Sequence, residues 1–272
     1  MMTVANLPNE PLSAAQRTLS HTARFWFIAA TLGQWAFIVF ILLFYGGHSV
    51  QGEFAALNDK PHITGYVAGD TLGNSQWLMH VFIAAVVTFA GVLQLLPQIR
   101  QHWPALHRWN GRVFVLSALI ATLTGFYLTW IRGSQLNLPS ALSASLNGVV
   151  IVLFVLLAWR SARRRDFVSH RRHALRAYLL VNGVWFLRIG IVPAGMVLTA
   201  LGQQMDYNSP AFLIVSYASW LLPIALPQLY FIAQASKRVG VVRSGSALLA
   251  FSALFTLGGA IAATMFMWWP YL

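Results

Sequence analysis

Seven long apolar stretches, separated by short polar segments, constrain this chain more than any other feature of its sequence. A helix needs about twenty apolar residues to cross a hydrocarbon core of roughly 30 Å. The stretches that meet this requirement are 25–45, 76–97, 111–131, 142–159, 172–193, 212–235 and 247–268. We therefore predict an all-α integral membrane protein, a helical bundle with seven transmembrane helices.

The charge content agrees with a membrane protein and excludes a soluble domain. Only 9% of the 272 residues are charged, whereas about one quarter is usual in soluble domains. The absence of cysteine excludes a disulfide framework and any cysteine-based metal site. A net charge of +12 would suggest nucleic-acid binding in a soluble protein, but here its distribution indicates membrane topology instead.

Arginine and lysine fall mainly on one side of the predicted bundle. The segments before the first span and after the second, fourth and sixth spans carry fifteen of them, and the opposite side carries only Lys60 and Arg132. The positive-inside rule then predicts a cytoplasmic N-terminus and an external C-terminus in a bacterial cytoplasmic (inner) membrane. We divide the chain into a cytoplasmic tail (1–24) and one seven-helix domain (25–272), whose core bundle is about 76–200. The expected partners are anionic cytoplasmic lipids and an unidentified membrane or cytoplasmic protein, and not nucleic acid.

The rest of the chain is organised around residues 77–112, a helical hairpin with a basic turn. His80, Gly91 and Gln94 lie within about 60° of one another on a helix, so they share the face that points into the bundle. The turn between the second and third spans contains two prolines and three arginines. We expect this hairpin to contribute polar groups to the interior of the bundle.

Polar side chains within a span are costly and are therefore candidates for function. Arg188 lies about 24 Å along its helix from residue 172, and Asn147 and His80 reach a similar depth from neighbouring spans. We expect these three, with Asn182 and Gln94, to bind a small ligand or a quinone head group. Every acidic residue falls outside the spans, so the alternatives for Arg188 are Asp70 or Asp206, a freed carbonyl, water, an anionic ligand, or a side chain that extends to the lipid surface.

A second cluster of histidine and arginine lies at the cytoplasmic edge. His107 opens the third span, and His170 and His173 open the fifth. Two imidazoles from different helices at one depth are the arrangement that binds haem b, and no metal other than this iron is expected. The alternative is that these residues only contact anionic head groups.

These residues resemble an uncharacterised bacterial family of predicted membrane proteins that carries a domain of unknown function. The resemblance covers about residues 77–190 and has two signatures. They are His80, Gly91, Gln94, Pro97, Arg100, Pro104, His107, Arg108, Gly111 and Arg112, and then Arg164, Asp166, His170, Arg171, Arg172, Arg176, Leu187 and Arg188. The family has an aromatic residue at position 173. The layout is similar to that of four-helix cytochromes of the b561 type, except that His80 is the single external histidine within a span.

Other chemistries are disfavoured by the sequence. It has no nucleophile elbow, no phosphate-binding glycine-rich loop and no His-Glu-x-x-His motif, so acyl transfer, nucleotide hydrolysis and zinc proteolysis are not expected. The loop after the first span has histidines and carboxylates, but their spacing matches no compact metal site. Three hypotheses remain: a redox protein with haem or quinone, a small-molecule transporter with Pro223 and Pro227 in its mobile helix, and an accessory membrane protein without chemistry.

Overall fold

The computed structural model describes residues 13–60 and 65–272. Within these ranges it contains ten α-helices and no β-strand. The helices are α1 (Ala14–Phe40), α2 (Gly47–Gln51), α3 (Thr71–Leu95), α4 (Pro97–His102), α5 (Pro104–Phe126), α6 (Leu138–Arg163), α7 (Phe167–Val181), α8 (Gly183–Ala200), α9 (Pro210–Ala235) and α10 (Val239–Ala263). Short π-helical segments extend α1, α5 and α10 at Ile41–Gly46, Tyr127–Ile131 and Thr264–Trp268.

Seven helical segments are long and apolar enough to cross a membrane, which confirms the predicted fold class and number of spans. They are Ala14–Gln51, Thr71–Leu95, Pro104–Ile131, Leu138–Arg163, Gly183–Ala200, Pro210–Ala235 and Val239–Tyr271. The first helix begins before the predicted span because the Ser13 side chain caps it, accepting a hydrogen bond from the Gln16 N–H. Residues 1–12 of the predicted tail lie outside the described part of the chain.

The helices pack mainly as hairpins of neighbouring elements. Helix α3 lies along α5, α6 along α7, and α8 along α9, while α1 packs along α10 and joins the two ends of the chain. We call the end that contains α4 and the α6–α7 junction the arginine-rich end. The opposite end, with the segment 52–70 and the π-helical segments, is called the loop end. The assignment of the arginine-rich end to the cytoplasm stays a prediction.

The fifth span differs from the predicted one in where its backbone breaks. We expected loosening at Gly190, Pro193 and Gly195, but α8 is continuous through all three. The interruption lies instead at Asn182, which separates α7 from α8 and whose side chain accepts a hydrogen bond from Thr88. Asparagine ends a helix readily because its side chain competes for backbone hydrogen bonds; here its amide donates to the Tyr178 carbonyl.

Proline and glycine together explain the close packing of α8 on α10. Pro193 has no N–H to offer the Ile189 carbonyl, so that oxygen is free of the usual helical bond. A Cβ atom at Gly259 would lie 2.4 Å from the same oxygen. Only glycine therefore fits at this position, as expected for small residues at helix contacts in membranes.

An ion pair holds the loop end together. The Asp70 side chain caps α3 by accepting from the Gly73 N–H, and Arg132, beyond the end of α5, donates to the Asp70 carboxylate at 2.9 Å. Arg132 also donates to Asn74 at 2.7 Å. Charge counts along the sequence place Arg132 only as an external charge and do not predict this link between two spans.

We expect the Asp70→Asn variant to be less thermostable than the wild type at pH 7. The Gly73 N–H, and then Arg132, hold the Asp70 pKa below its ordinary value of 3.8. A lowered folded-state pKa stabilises the fold above the ordinary pKa, and this contribution is lost as pH falls through the folded-state value. The difference in melting temperature should therefore shrink below pH 4. An Asp59→Asn variant, at an exposed position, is the control, and a constant difference from pH 7 to 3 would contradict the prediction.

Candidate functional site

A large cavity lies at the arginine-rich end, between α1, α3, α5, α6, α7 and α9. Its volume is about 1500 Å³. Aromatic and aliphatic side chains form most of its wall, including Trp26, Phe114, Trp159, Leu175 and Leu179. Most residues of the first sequence signature also line it, together with four basic residues from the second half of the chain. These are Gly91, Gln94, Pro97, Arg100, Pro104, His107, Arg108, Gly111 and Arg112, and then Arg163, Arg165, His170 and Arg171. We call this space the basic cavity.

The turn between α3 and α5 follows from its two prolines. Each proline stands at the first position of a helix, Pro97 in α4 and Pro104 in α5, where its missing N–H costs nothing. Gln94 then fixes the turn, because its side-chain amide donates to the His107 carbonyl at 2.8 Å. Asn110 makes a second link, to the Ala90 carbonyl at 2.8 Å. Gln94 thus has a positioning contact in addition to its place in the cavity wall.

His170 is oriented by the backbone of the helix before it. The junction between α6 and α7 turns at Arg165, which adopts a positive φ of 59°, and Asp166 caps α7 by accepting from the Ser169 N–H. His170 Nδ1 then lies 3.0 Å from the Ala158 carbonyl oxygen. Since a carbonyl only accepts, Nδ1 carries the proton, and in the neutral ring Nε2 keeps its lone pair.

The three histidines at this end differ in their surroundings. His107 shares the cavity wall with His170, and the two rings are close enough to interact electrostatically. Its Nδ1 atom is buried and has no hydrogen-bond partner among the described residues. His173 is outside the cavity wall and packs against the ring of Phe154, with centroids 5.8 Å apart. The structure therefore places His107 and His170 in one cavity wall and His173 outside it, and a buried Nδ1 without a partner among the described residues is common to His107 and His173.

The basic cavity is strongly positive. Six arginines line it, and its wall contains no acidic residue. They are Arg100, Arg108, Arg112, Arg163, Arg165 and Arg171. Within the described ranges, none of them forms an ion pair with a carboxylate. Apolar walls beneath a ring of unpaired guanidinium groups suit a ligand with an apolar body and anionic groups.

Polar residues in the middle of the bundle are engaged with one another. The Tyr178 hydroxyl donates to the Gln34 side chain at 2.6 Å, which links α7 to α1. Asn147 donates to the Leu180 carbonyl at 3.2 Å, beside the break at Asn182. Asn147 and Asn182 therefore meet at this break, and the binding of a ligand by these residues and Arg188 stays a prediction. Gln34 was missed by the sequence analysis, although a glutamine in the middle of a span was a visible signal.

At the loop end, Arg188 and His80 each contact protein groups. The Arg188 guanidinium donates to the Val184 carbonyl in its own helix at 3.1 Å and lies 5.1 Å from the Phe37 ring centroid. His80 Nδ1 lies 2.9 Å from the Thr124 hydroxyl. The two side chains are within electrostatic range of each other, and a ligand shared between them stays a prediction.

The carboxylates suggested as partners for Arg188 are engaged elsewhere. Asp70 binds Arg132, and Asp206 accepts from the Asn208 N–H. In the segment after the first span, His48 binds Glu53 at 3.0 Å, and His62 lies outside the described residues. Within the described part of the chain, no three histidine or carboxylate side chains are grouped as they would be around a metal ion.

The comparisons with known proteins identify a family and nothing more specific. No curated protein and no solved structure matches the chain. The sequence model of the family described as "Predicted membrane protein (DUF2306)" matches residues 77–231, more than half of the chain. The matched region contains both signatures and nearly all of the basic cavity. This chain therefore belongs to the DUF2306 family of predicted membrane proteins.

Proposed function

We propose that this protein is a redox protein of the bacterial cytoplasmic membrane that binds haem b in the basic cavity, with His107 and His170 as the iron ligands. The observation that carries the proposal is the contact between His170 Nδ1 and the Ala158 carbonyl. Imidazoles that bind iron usually donate their other N–H to a carbonyl or carboxylate, which fixes the ring and leaves Nε2 for the metal. His107 lies in the wall of the same cavity.

Two further observations support the fit of haem. The cavity volume of about 1500 Å³ is ample for a ligand of that size. The arginines offer the bidentate partners that carboxylates prefer, so they would hold the two propionates.

The roles of the chain's own residues follow from these contacts. Ala158 orients His170, and Gln94 positions the first turn of α5 through the His107 carbonyl. The apolar part of the wall would contact the ring system of the haem, and the exposed arginines would contact its propionates. When bound, haem supplies reversible transfer of one electron.

A second candidate function is the binding or movement of an anionic amphiphile such as a lipid. The observation that favours it is the number of arginines, because six guanidinium groups exceed what two propionates need. Quinone binding by His80 and Arg188 has less support, since Thr124 and the Val184 carbonyl already contact these side chains.

Haem content of the purified protein tests the proposal. Protein produced in haem-replete cells and purified in mild detergent should show the visible spectrum of haem b, with bands that sharpen on reduction and about one haem per chain. Mass spectrometry of the same sample under native conditions detects other ligands. A colourless sample that carries one anionic lipid per chain would replace the haem proposal with the second candidate, and a sample with neither would contradict both.

A further inference from the structure

Two buried hydrogen-bond donors near the loop end lack acceptors. The Lys60 ammonium and the Trp268 indole N–H have no hydrogen-bond partner among the residues that the structure describes. Lys60 is 4% exposed and Trp268 is 1% exposed. An ammonium group that loses its water without gaining an acceptor strongly destabilises the fold. The described residues supply no acceptor for these two donors, and a bound anion would supply one.

Both donors lie within one group of aromatic rings. We define the aromatic shell as Phe37, Phe40, Tyr45, Trp268 and Tyr271. The Lys60 nitrogen lies 4.3 Å from the Phe40 ring centroid and 5.8 Å from that of Tyr271. Trp268 packs on Phe37 and Phe40, at centroid distances of 5.3 and 6.2 Å. These ring contacts attract a cation only weakly compared with water or a hydrogen-bond acceptor, so they offset only part of the desolvation cost.

Arg188 adds a second positive charge at the same place. Its guanidinium lies over the Phe37 ring of the shell. Burial, and then the charge of Arg188, lowers the pKa of Lys60 to about 7. Among the described residues, no carboxylate forms an ion pair with Lys60 or Arg188. Two neighbouring cations without an acid are the electrostatic arrangement that an anion stabilises.

We propose that a small monovalent anion, of the size of a halide, binds between Lys60 and Arg188 and accepts hydrogen bonds from the Lys60 ammonium and the Trp268 N–H. The shell is tightly packed, with Phe40 1% and Tyr45 5% exposed, which favours a small ion over one with a hydrocarbon chain. This site is independent of the basic cavity at the other end of the bundle.

Chloride-dependent thermal stability tests the anion site. The purified protein is unfolded at pH 6 in mixtures of sodium chloride and sodium gluconate of constant ionic strength, because gluconate is too large for the shell. The wild-type melting temperature should rise with chloride and then saturate, since a ligand that binds only the folded state stabilises it. The Lys60→Met variant should fold, because the change removes a buried charge, and should lose the chloride-dependent rise.

The chain provides a matched control and an independent variant. Lys237, the only other lysine, is exposed, and Lys237→Met should keep the full rise. Trp268→Phe keeps an aromatic ring but removes the donor, so it should need about tenfold more chloride for half of the rise. A rise of equal size in wild type and Lys60→Met, or no rise in the wild type, would overturn the proposal.

Discussion

Replacing His170 with alanine is expected to release haem from the purified protein, whereas replacing His173 is expected to leave it bound. The two residues stand three positions apart on α7, but only His170 lines the basic cavity and contacts the Ala158 carbonyl. Loss of a residue that merely supports a metal ligand costs about 10–100-fold in affinity, so loss of the ligand itself should cost at least about 100-fold. Haem content per chain, measured after identical purification, is the readout.

The comparison of these two variants requires that both are folded. Both variants should elute from size-exclusion chromatography as the wild type does, because neither side chain is in the tightly packed centre of the bundle. Equal haem loss in the His170→Ala and His173→Ala variants would show that the change acts on folding or on haem supply. Full haem content in the His170→Ala variant would show that His170 is not an iron ligand.

Substitution of Gly259 by alanine is expected to destabilise the protein strongly, whereas the same change at Gly258 is tolerated. A Cβ at Gly259 would lie 2.4 Å from the Ile189 carbonyl oxygen and 3.1 Å from the Ile189 Cβ, and backbone atoms cannot move aside cheaply. At Gly258 nothing lies within 4 Å of the added Cβ. Overpacking of this kind costs about 1–3 kcal/mol, while alanine gains about 0.5–1 kcal/mol over glycine in a helix interior.

Thermal unfolding in one detergent measures both effects. Gly259→Ala should unfold at a lower temperature than the wild type, and Gly258→Ala at the same or a higher temperature. Because the two glycines are adjacent in α10, differences in expression or membrane insertion should affect both variants alike. Equal melting temperatures for the two variants would contradict the close contact between α8 and α10.

Hydrophobicity and charge were sufficient to predict the number of spans and the residues that gather at the arginine-rich end. The reason is physical: a bilayer imposes one length on each apolar stretch, and loops on alternate sides meet at opposite ends of the bundle. Proline positions also predicted the turn, since Pro97 and Pro104 each start a helix. The pairing of His107 with His170 in one cavity was among the alternatives that the sequence left open.

The remaining features depend on contacts between distant helices and could not be predicted from local patterns. The sequence could not show that Arg132 forms an ion pair with Asp70, so that this carboxylate is not a partner of Arg188. Nor could it show that Lys60 is buried, because lysine in a loop is usually exposed. The break at Asn182 was not predicted, because Gly190 and Pro193 are the stronger local signals for a break. At those two residues α8 is continuous, and next to them it packs closely against α10.

The central claim, that two imidazoles from different helices bind one iron, is tested most directly by electron paramagnetic resonance of the oxidised protein. The wild type should give the low-spin ferric signal of haem with two imidazole ligands. His107→Ala should lose most of its haem, as His170→Ala does, and any haem that stays bound should give a high-spin signal, because the iron has lost one of its two imidazole ligands. A high-spin wild-type signal, or full haem content with an unchanged low-spin signal in His107→Ala, would contradict the account.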